Sequence, residues 1–372
     1  MPDSRAAAAP ASRKLMLVAG TRPECIKLAP LVAAIAEEPS LACAVVNSGQ
    51  HVAAVADTLA GFGIAAAASL PALARVDNLR LATLQLEHQL AACMSREGPD
   101  MVVVQGDTLT AFAGARAARR CGLPLAHVEA GLRTPDPLDP FPEEWFRRRI
   151  ARCADRHFAP CRTAVAHLLA EGIPPERIHL VGNTGIDALR ALLERWRAHG
   201  ASPARIAGRV LVTLHRRENW DRNADVLCDA LIALTRAEPG VSVVFPVHPN
   251  PRIAPRIRRR LGRVAHIELV APLPYPEFVR AMASASLLVS DSGGVQEEAP
   301  HLGVPLLVPR ANTERPEALA TGFVELVQVE LDTLVACARA RLRAALPPPL
   351  AFDAHAPFGA GDARRTRSQD RP

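Results

Sequence analysis

The sequence predicts an α/β chain of two Rossmann-like, parallel-sheet domains facing a central cleft. Three observations carry this. Short apolar, β-branched-rich runs alternate with longer helical stretches. The runs are nearly continuous hydrophobes rather than alternating ones, which is the pattern of strands covered on both faces. They also fall into two series separated by a connector. A length of 372 residues suits two or three domains, and 49% hydrophobic against 22% charged residues is enough to build buried cores rather than a disordered chain.

The first series of predicted strands covers residues 14–19, 42–47, 101–105, 125–129, 156–159 and 179–181. The second covers 209–214, 241–247, 267–270, 287–290, 306–308 and 324–327. Between Gly182 and Arg209 lie one helical stretch and a Gly/Ala/Pro/Ser-containing connector, which places the first domain at 1–184 and the second at 185–354. The run Pro347, Pro348, Pro349 and Leu350 stops the last helix of the second domain. The charged tail from Arg364 is expected to fray. Ligands of open α/β sheets bind beyond the carboxyl ends of the strands, so two sheets in one chain predict the cleft between them.

Composition narrows the function classes. The longest apolar stretch, 64–74, is about half of the ~20 residues a membrane helix needs and contains Pro71. The first fourteen residues lead into no signal-type apolar core. A cytoplasmic chain without a membrane partner is expected. The cysteines, at 25, 43, 93, 121, 153, 161, 228 and 337, stand at least eight positions apart, so neither a redox pair nor a zinc clamp is written here. Lys and Arg exceed Asp and Glu by six (44 − 38), which suits an anionic partner. The basic run from Arg252 to Arg260 lacks interleaved aromatics and reads as a solvated helix face, not a nucleic-acid surface.

Chemistry-bearing residues gather at the predicted strand ends. The first strand runs into Gly20, Thr21, Arg22, Pro23 and Glu24, followed by a helix carrying Lys27; free N–H groups and two cations there suit an anion, or else the segment is simply a capped helix start. No G-x-G-x-x-G occurs, which weighs against a nicotinamide or flavin cofactor. Asp107, in Gly106-Asp107-Thr108, is either a helix cap or a working carboxylate. Glu129 and Arg133 end the adjoining strand, and the stiff Pro-rich loop 135–142 closes on Glu143 and Glu144. Asp107, Glu129 and Glu143, if they converge, can divide acid and base roles. In the second series, His215 and His248 follow strands and suit proton transfer or a diphosphate contact. The turn Asp291-Ser292-Gly293-Gly294 opens a helix carrying Glu298, and its amides and hydroxyl suit a diphosphate while Glu298 suits sugar hydroxyls. Arg310 and Arg315 add guanidinium groups nearby. Tyr275 and Phe278 read as packing residues.

Taken in order, GTRPECIKLAPL, SGQH, VQGDT, HVEAGLRT, PFPEE, FAP, GNT-x-IDAL, TLHRREN, PVHPNP, DSGGVQEEAP-x-LG-x-P-LLV and TERPEAL resemble the non-hydrolysing UDP-N-acetylglucosamine 2-epimerases over residues 14–327, and HAPFGAGDA at 355–363 resembles that family's C-terminal segment. The resemblance implies a glycosyltransferase-B-like fold holding UDP-sugar between two domains, a helix over 355–372 that returns to the first domain, and a homodimer. It implies no nicotinamide and no metal. The implied reaction interconverts UDP-GlcNAc and UDP-ManNAc by loss of the C2 proton, expulsion of UDP to give 2-acetamidoglucal, and re-addition. The matching positions are Arg22 and Lys27 near diphosphate or sugar, Asp107, Glu129 and Glu143 as the acid/base group, and His215 as a catalytic or diphosphate contact. His248, Ser292, Gly293, Gly294, Glu298 and Arg315 match residues that hold UDP.

The chain also departs from the pattern. Val52, Ala53 and Ala54 follow Gln50-His51 where the family has Arg, an acid and Met, and the segment 64–78 is Ala-rich. Bacterial relatives use this neighbourhood for an activating UDP-GlcNAc, so weakened activation through Gln50 and His51 is expected. Phe146 replaces an Asn, and Gln328-Val329 replaces Gly-Thr. The competing readings are a hydrolysing 2-epimerase, an epimerase of a modified UDP-sugar, and a glycosyltransferase or non-catalytic UDP-sugar binder.

Overall fold

The computed structural model describes residues 12–73, 78–136, 138–216, 219–353 and 355–363. It divides into two compact units, one running to Thr184 with the end of the chain from Asp362 added, the other Gly185–Gly361.

In the first unit the elements run β1 (Arg13–Ala19), α1 (Arg22–Ala36), β2 (Leu41–Asn47), α2 (Val52–Gly61), β3 (Ala68–Ser69), α3 (Leu79–Glu97), β4 (Met101–Gln105), α4 (Leu109–Arg120), β5 (Leu125–Val128), α5 (Glu143–Cys153), β6 (Arg156–Ala159), α6 (Arg162–Ala170) and β7 (Ile178–Leu180). They form one parallel sheet in the order β3-β2-β1-β4-β5-β6-β7. Successive side chains of a strand point to opposite faces, and β1 shows why its run is unbroken. Met16 and Val18 enter a core with Leu86, Leu90, Phe112, Phe146 and Ile150. Leu17 and Ala19 enter another with Leu28, Val45, Val55 and Leu59. Two buried faces leave no place for alternating polar residues.

The second unit contains α7 (Thr184–Ala198, starting on the last residue of the first unit), β8 (Arg209–Thr213), α8 (Arg222–Ala237), β9 (Ser242–Pro246), α9 (Ala254–Leu261), β10 (Ile267–Val270), α10 (Tyr275–Ser284), β11 (Leu287–Ser290), α11 (Gly293–Leu302), β12 (Leu306–Val308), α12 (Pro316–Leu319), β13 (Val324–Leu326) and α13 (Leu331–Arg343). Its sheet, again parallel, is ordered β10-β9-β8-β11-β12-β13. In both sheets the order reverses beside the first strand, between β1 and β4 and between β8 and β11. Those reversals are the switch points at which α/β sheets open a crevice.

Three readings change. β3 was not foreseen: it pairs Val46 with Ala68 and Asn47 with Ser69, two rungs at a sheet edge from a segment without β-branched residues. Residues 355–363 form turns rather than the expected helix, and up to Gly361 they group with the second unit, where Arg190 Nη1 donates to the Ala360 carbonyl at 2.8 Å. The rest of that expected helix and the fraying tail, 364–372, lie outside the described residues. The basic run is also more than a solvated face. Arg256 pairs with Asp225 at 2.5 Å, Arg260 pairs with Asp229, and Arg252 approaches Asp221 at 3.8 Å, so α9 lies charge to charge against α8 and its N-terminal approach. No helix among the described residues is long and apolar enough to cross a membrane.

Candidate functional site

At the first unit's switch point, α1 begins with a capping box in which Thr21 and Glu24 satisfy each other's backbone. One turn on, the buried Lys27 reaches across to β5 and donates to Glu129 Oε1 at 2.5 Å. Gln105, the last residue of β4, donates from Nε2 to Glu129 Oε2, and Asn183 Nδ2 reaches Oε1 at 3.4 Å. Glu129 is thus held by groups from three parts of the chain. Its backbone sits at φ 65°, a region that costs a non-glycine residue energy and that occurs preferentially at functional sites. A buried ion pair adds little net stability because desolvation offsets attraction. What the Lys27–Glu129 pair provides is one fixed orientation for the carboxylate.

Gly106, at φ +70°, turns the chain out of β4 so closely that a Cβ there would lie 3.5 Å from Glu129 Oε2. The next residue is Asp107. It is not the cap of α4, a role taken by Thr108, whose hydroxyl accepts from Ala111 N at 3.0 Å. Asp107 instead meets Arg147 of α5. Arg147 also donates to Glu144 Oε2 at 3.1 Å, and Glu144, fully buried, accepts from Thr134 N and Arg148 Nε. Of the two glutamates closing the Pro-rich loop, Glu144 therefore holds the loop. Glu143 heads α5, half-buried and on the helical face of Arg147 four residues on. The structure thus joins Lys27 and Glu129 directly at one switch point, places Asp107 one residue beyond the Gly106 that packs against Glu129, and ties Asp107 through Arg147 to α5, the helix that Glu143 heads. Burial pulls the Arg22 guanidinium down from its ordinary value. Arg133 belongs elsewhere: Nε and Nη2 fork onto Glu171 at 2.7 and 2.8 Å. Gln50 Oε1 accepts from Thr110 N and Oγ1, tying its turn to α4, and His51 precedes α2.

In the second unit, the buried Asp291 at the end of β11 accepts from the backbone N–H groups of His215 and Arg216 at 2.8 and 3.0 Å and from Asn219 Nδ2 at 2.9 Å. That one carboxylate sets the turn after β8 and hence the exposed His215 ring, which meets His248 edge-on at 5.8 Å between centroids. Ser292 is the N-cap position of α11, whose first residues are Gly293 and Gly294. Glu298, inside that helix, accepts from the buried Tyr275 hydroxyl at 3.1 Å, which confirms Tyr275 as a packed residue with a polar tip. Arg315 is doubly paired, to Glu297 at 2.5 Å and Glu314 at 2.7 Å. Glu314 also holds Arg216 and, at 3.0 Å, Arg310. The guanidinium of Arg315 lies against Gly293, where a Cβ would come within 2.4 Å of Nη1. Gly293→Ala is accordingly expected to push Arg315 aside and to lower stability by about 1–3 kcal/mol, read by urea denaturation, because the added methyl has no space. Among the described residues no group of three or more His, Cys, Asp or Glu is placed to hold a metal ion.

A family model described as UDP-N-acetylglucosamine 2-epimerase matches residues 33–367. A probable UDP-N-acetylglucosamine 2-epimerase of Ralstonia nicotianae is 39% identical, covering 96% of this chain and 98% of the relative. The UDP-N-acetylglucosamine 2-epimerase of Salmonella typhimurium is 38% identical over 94% and 95%.

The chain belongs to the UDP-N-acetylglucosamine 2-epimerase family.

It is therefore an enzyme of that family, and its fold agrees with solved structures. The UDP-GlcNAc 2-epimerase of Neisseria meningitidis bound to UDP-GlcNAc superposes with a TM-score of 0.88 at 33% identity, covering 95% of this chain and 97% of that one. The Methanocaldococcus jannaschii UDP-GlcNAc 2-epimerase in complex with UDP-GlcNAc and UDP gives 0.81 at 30% identity over 94% and 97%. Against that background the residues missed from sequence as site candidates are Gln105, Arg147, Asn183, Asp291 and Glu314. All but Arg147 lie inside a string that suggested the family, yet each acts on a partner far away in the chain, so spacing gave no signal for its role.

Proposed function

We propose that this 2-epimerase is non-hydrolysing and interconverts UDP-GlcNAc and UDP-ManNAc. The observation that carries the reading is the fixed Glu129 carboxylate, held by Lys27, Gln105 and Asn183, with Asp107 one residue beyond Gly106, whose backbone packs against that carboxylate. Inverting C2 requires a base to take the proton from one face and an acid to return it to the other, so more than one titratable group is needed. Asp107, Glu129 and Glu143 supply that group. As a carboxylate removes the C2 proton, the C–H electrons form the C1=C2 bond, the C1–O bond breaks, and its electron pair leaves on UDP. Return of a proton to the opposite face of C2 and of UDP to C1 completes the reaction.

The second unit is assigned to UDP. The N–H groups of Gly293 and Gly294 at the start of α11, the Ser292 hydroxyl and His215 receive the developing diphosphate charge, with His248 and Arg315 behind them. Glu298 takes sugar hydroxyls. Arg22, at the start of α1, adds a cation on the first unit. Incubation with UDP-GlcNAc in deuterated water, followed by NMR, tests the reading. UDP-ManNAc carrying deuterium at C2 is the expected product. Free N-acetylmannosamine with UDP would identify a hydrolysing enzyme, and absence of C2 exchange would point to a transferase or a binder.

A further inference from the structure

We propose that Glu24 is a positioning residue for Asp107, acting through the Thr108 hydroxyl, a role that rests on Asp107 being part of the acid/base group. Glu24 is almost entirely buried. Its Oε2 accepts from Thr21 N at 2.7 Å, a bond of the capping box, and also from Gly20 N at 2.9 Å and Thr21 Oγ1 at 2.8 Å. A capping box is local and needs nothing more. Oε1, however, is bonded across to the next strand's turn, by Thr108 Oγ1 at 2.6 Å, and Thr108 is covalently next to Asp107.

The Thr108 oxygen has a second duty, accepting from Ala111 N as the cap of α4. A hydroxyl has one hydrogen and two lone pairs. With Glu24 ionised, Thr108 donates its hydrogen to Oε1 and keeps a lone pair for Ala111. With Glu24 protonated, the carboxyl O–H donates to Thr108, both lone pairs are taken, and the Thr108 hydrogen must turn away from Glu24. The cap survives in both states, so helix α4 stays; what reverses is one hydrogen-bond dipole one residue from Asp107. Burial pushes the Glu24 carboxyl up to about 7, against the downward pull of its four hydrogen bonds, so the reversal falls in the working range. The groups around Glu24 are the Gly20–Thr21 backbone, the Thr21 and Thr108 hydroxyls, and the Cys25 thiol, itself pushed up to about 12 by burial and by Glu24. The charged side chains on the same two turns are Arg22, Lys27 and Asp107.

The test compares kcat and KM for UDP-GlcNAc from pH 5.5 to 9 in wild type, Glu24→Gln, Thr108→Val and Thr108→Ser. With the ionised form active, wild-type kcat rises with pH through about 7. Glu24→Gln is expected to lose that limb, while any limb due to His215 or the other carboxylates persists. Thr108→Val is expected to lower kcat about tenfold or more with KM within about twofold, and Thr108→Ser to restore it, as fits a misplaced catalytic group. Profiles that superimpose, or a uniform loss without a change in profile shape, would overturn the proposal. Should Glu24→Gln not fold, the half-buried Thr108 pair carries the test alone, Thr108→Val at wild-type kcat overturning it. Failure of the functional reading is distinguishable, because the wild-type enzyme would then form no UDP-ManNAc at any pH.

Discussion

Glu129→Gln should lower kcat by about 10²–10⁴-fold, the range expected for loss of an acid/base group, and should also destabilise the first unit. The amide fills nearly the same space, so the effect is one of charge. Lys27, with a side chain 11% exposed, would face a neutral group in place of its anionic partner. Stranding one member of a buried pair costs about 3–5 kcal/mol. The two losses separate in a double variant. Lys27→Met with Glu129→Gln removes both charges, so the urea midpoint should recover much of the way while kcat stays low. A single Gln variant within about threefold of wild-type kcat would remove Glu129 from the acid/base group.

Glu314→Gln should be the most damaging conservative change in the second unit. Its carboxylate accepts from Arg216, Arg310 and Arg315 with a side chain that is 1% exposed. Neutralising it takes an anion from Arg216, Arg310 and Arg315 at once, while Glu297 still meets Arg315. A loss of about 3–5 kcal/mol is expected in urea denaturation as the arginines move apart. Glu297→Gln removes the anion that Arg315 Nε meets and should cost about half as much. Stability within about 1 kcal/mol of wild type for Glu314→Gln would mean that the arginines are satisfied without it.

The sheets were legible because both of their faces are buried: β1, β4 and β8 read as uninterrupted apolar runs, a signal that survives without any knowledge of partners. β3 was not legible, since Ala68 and Ser69 have little strand character and pair because β2 presents an edge. The placement of the candidate site was legible where a motif marks a strand end, as in Gly106-Asp107 after β4 or Ser292-Gly293-Gly294 at the start of α11. It was not legible where a role is defined by a distant contact. Arg315 reads as a cation for diphosphate, yet its charge is already shared with Glu297 and Glu314. Asp291 reads as part of a glycine turn, yet it governs the backbone of His215, 76 positions earlier. Glu143 and Glu144 are alike in sequence, and burial alone separates the one that fastens the Pro-rich loop from the one that remains accessible.

The charges facing one another on α8 and α9 have a consequence for how the second unit finds its packing. Asp221, Asp225 and Asp229 recur every four residues, as do Arg252, Arg256 and Arg260. Arg256 and Arg260 each reach two of the aspartates. Two ladders of equal pitch and opposite sign match fully in one alignment. Sliding one helix by a turn strands an aspartate at one end and an arginine at the other. The apolar side chains beneath, Leu227 and Leu231 of α8 in one core with Ile257 and Leu261 of α9, resist the same slip because they are close-packed. The ladder therefore agrees with the seating that the core sets, each of these partly exposed pairs adding at most about 1 kcal/mol.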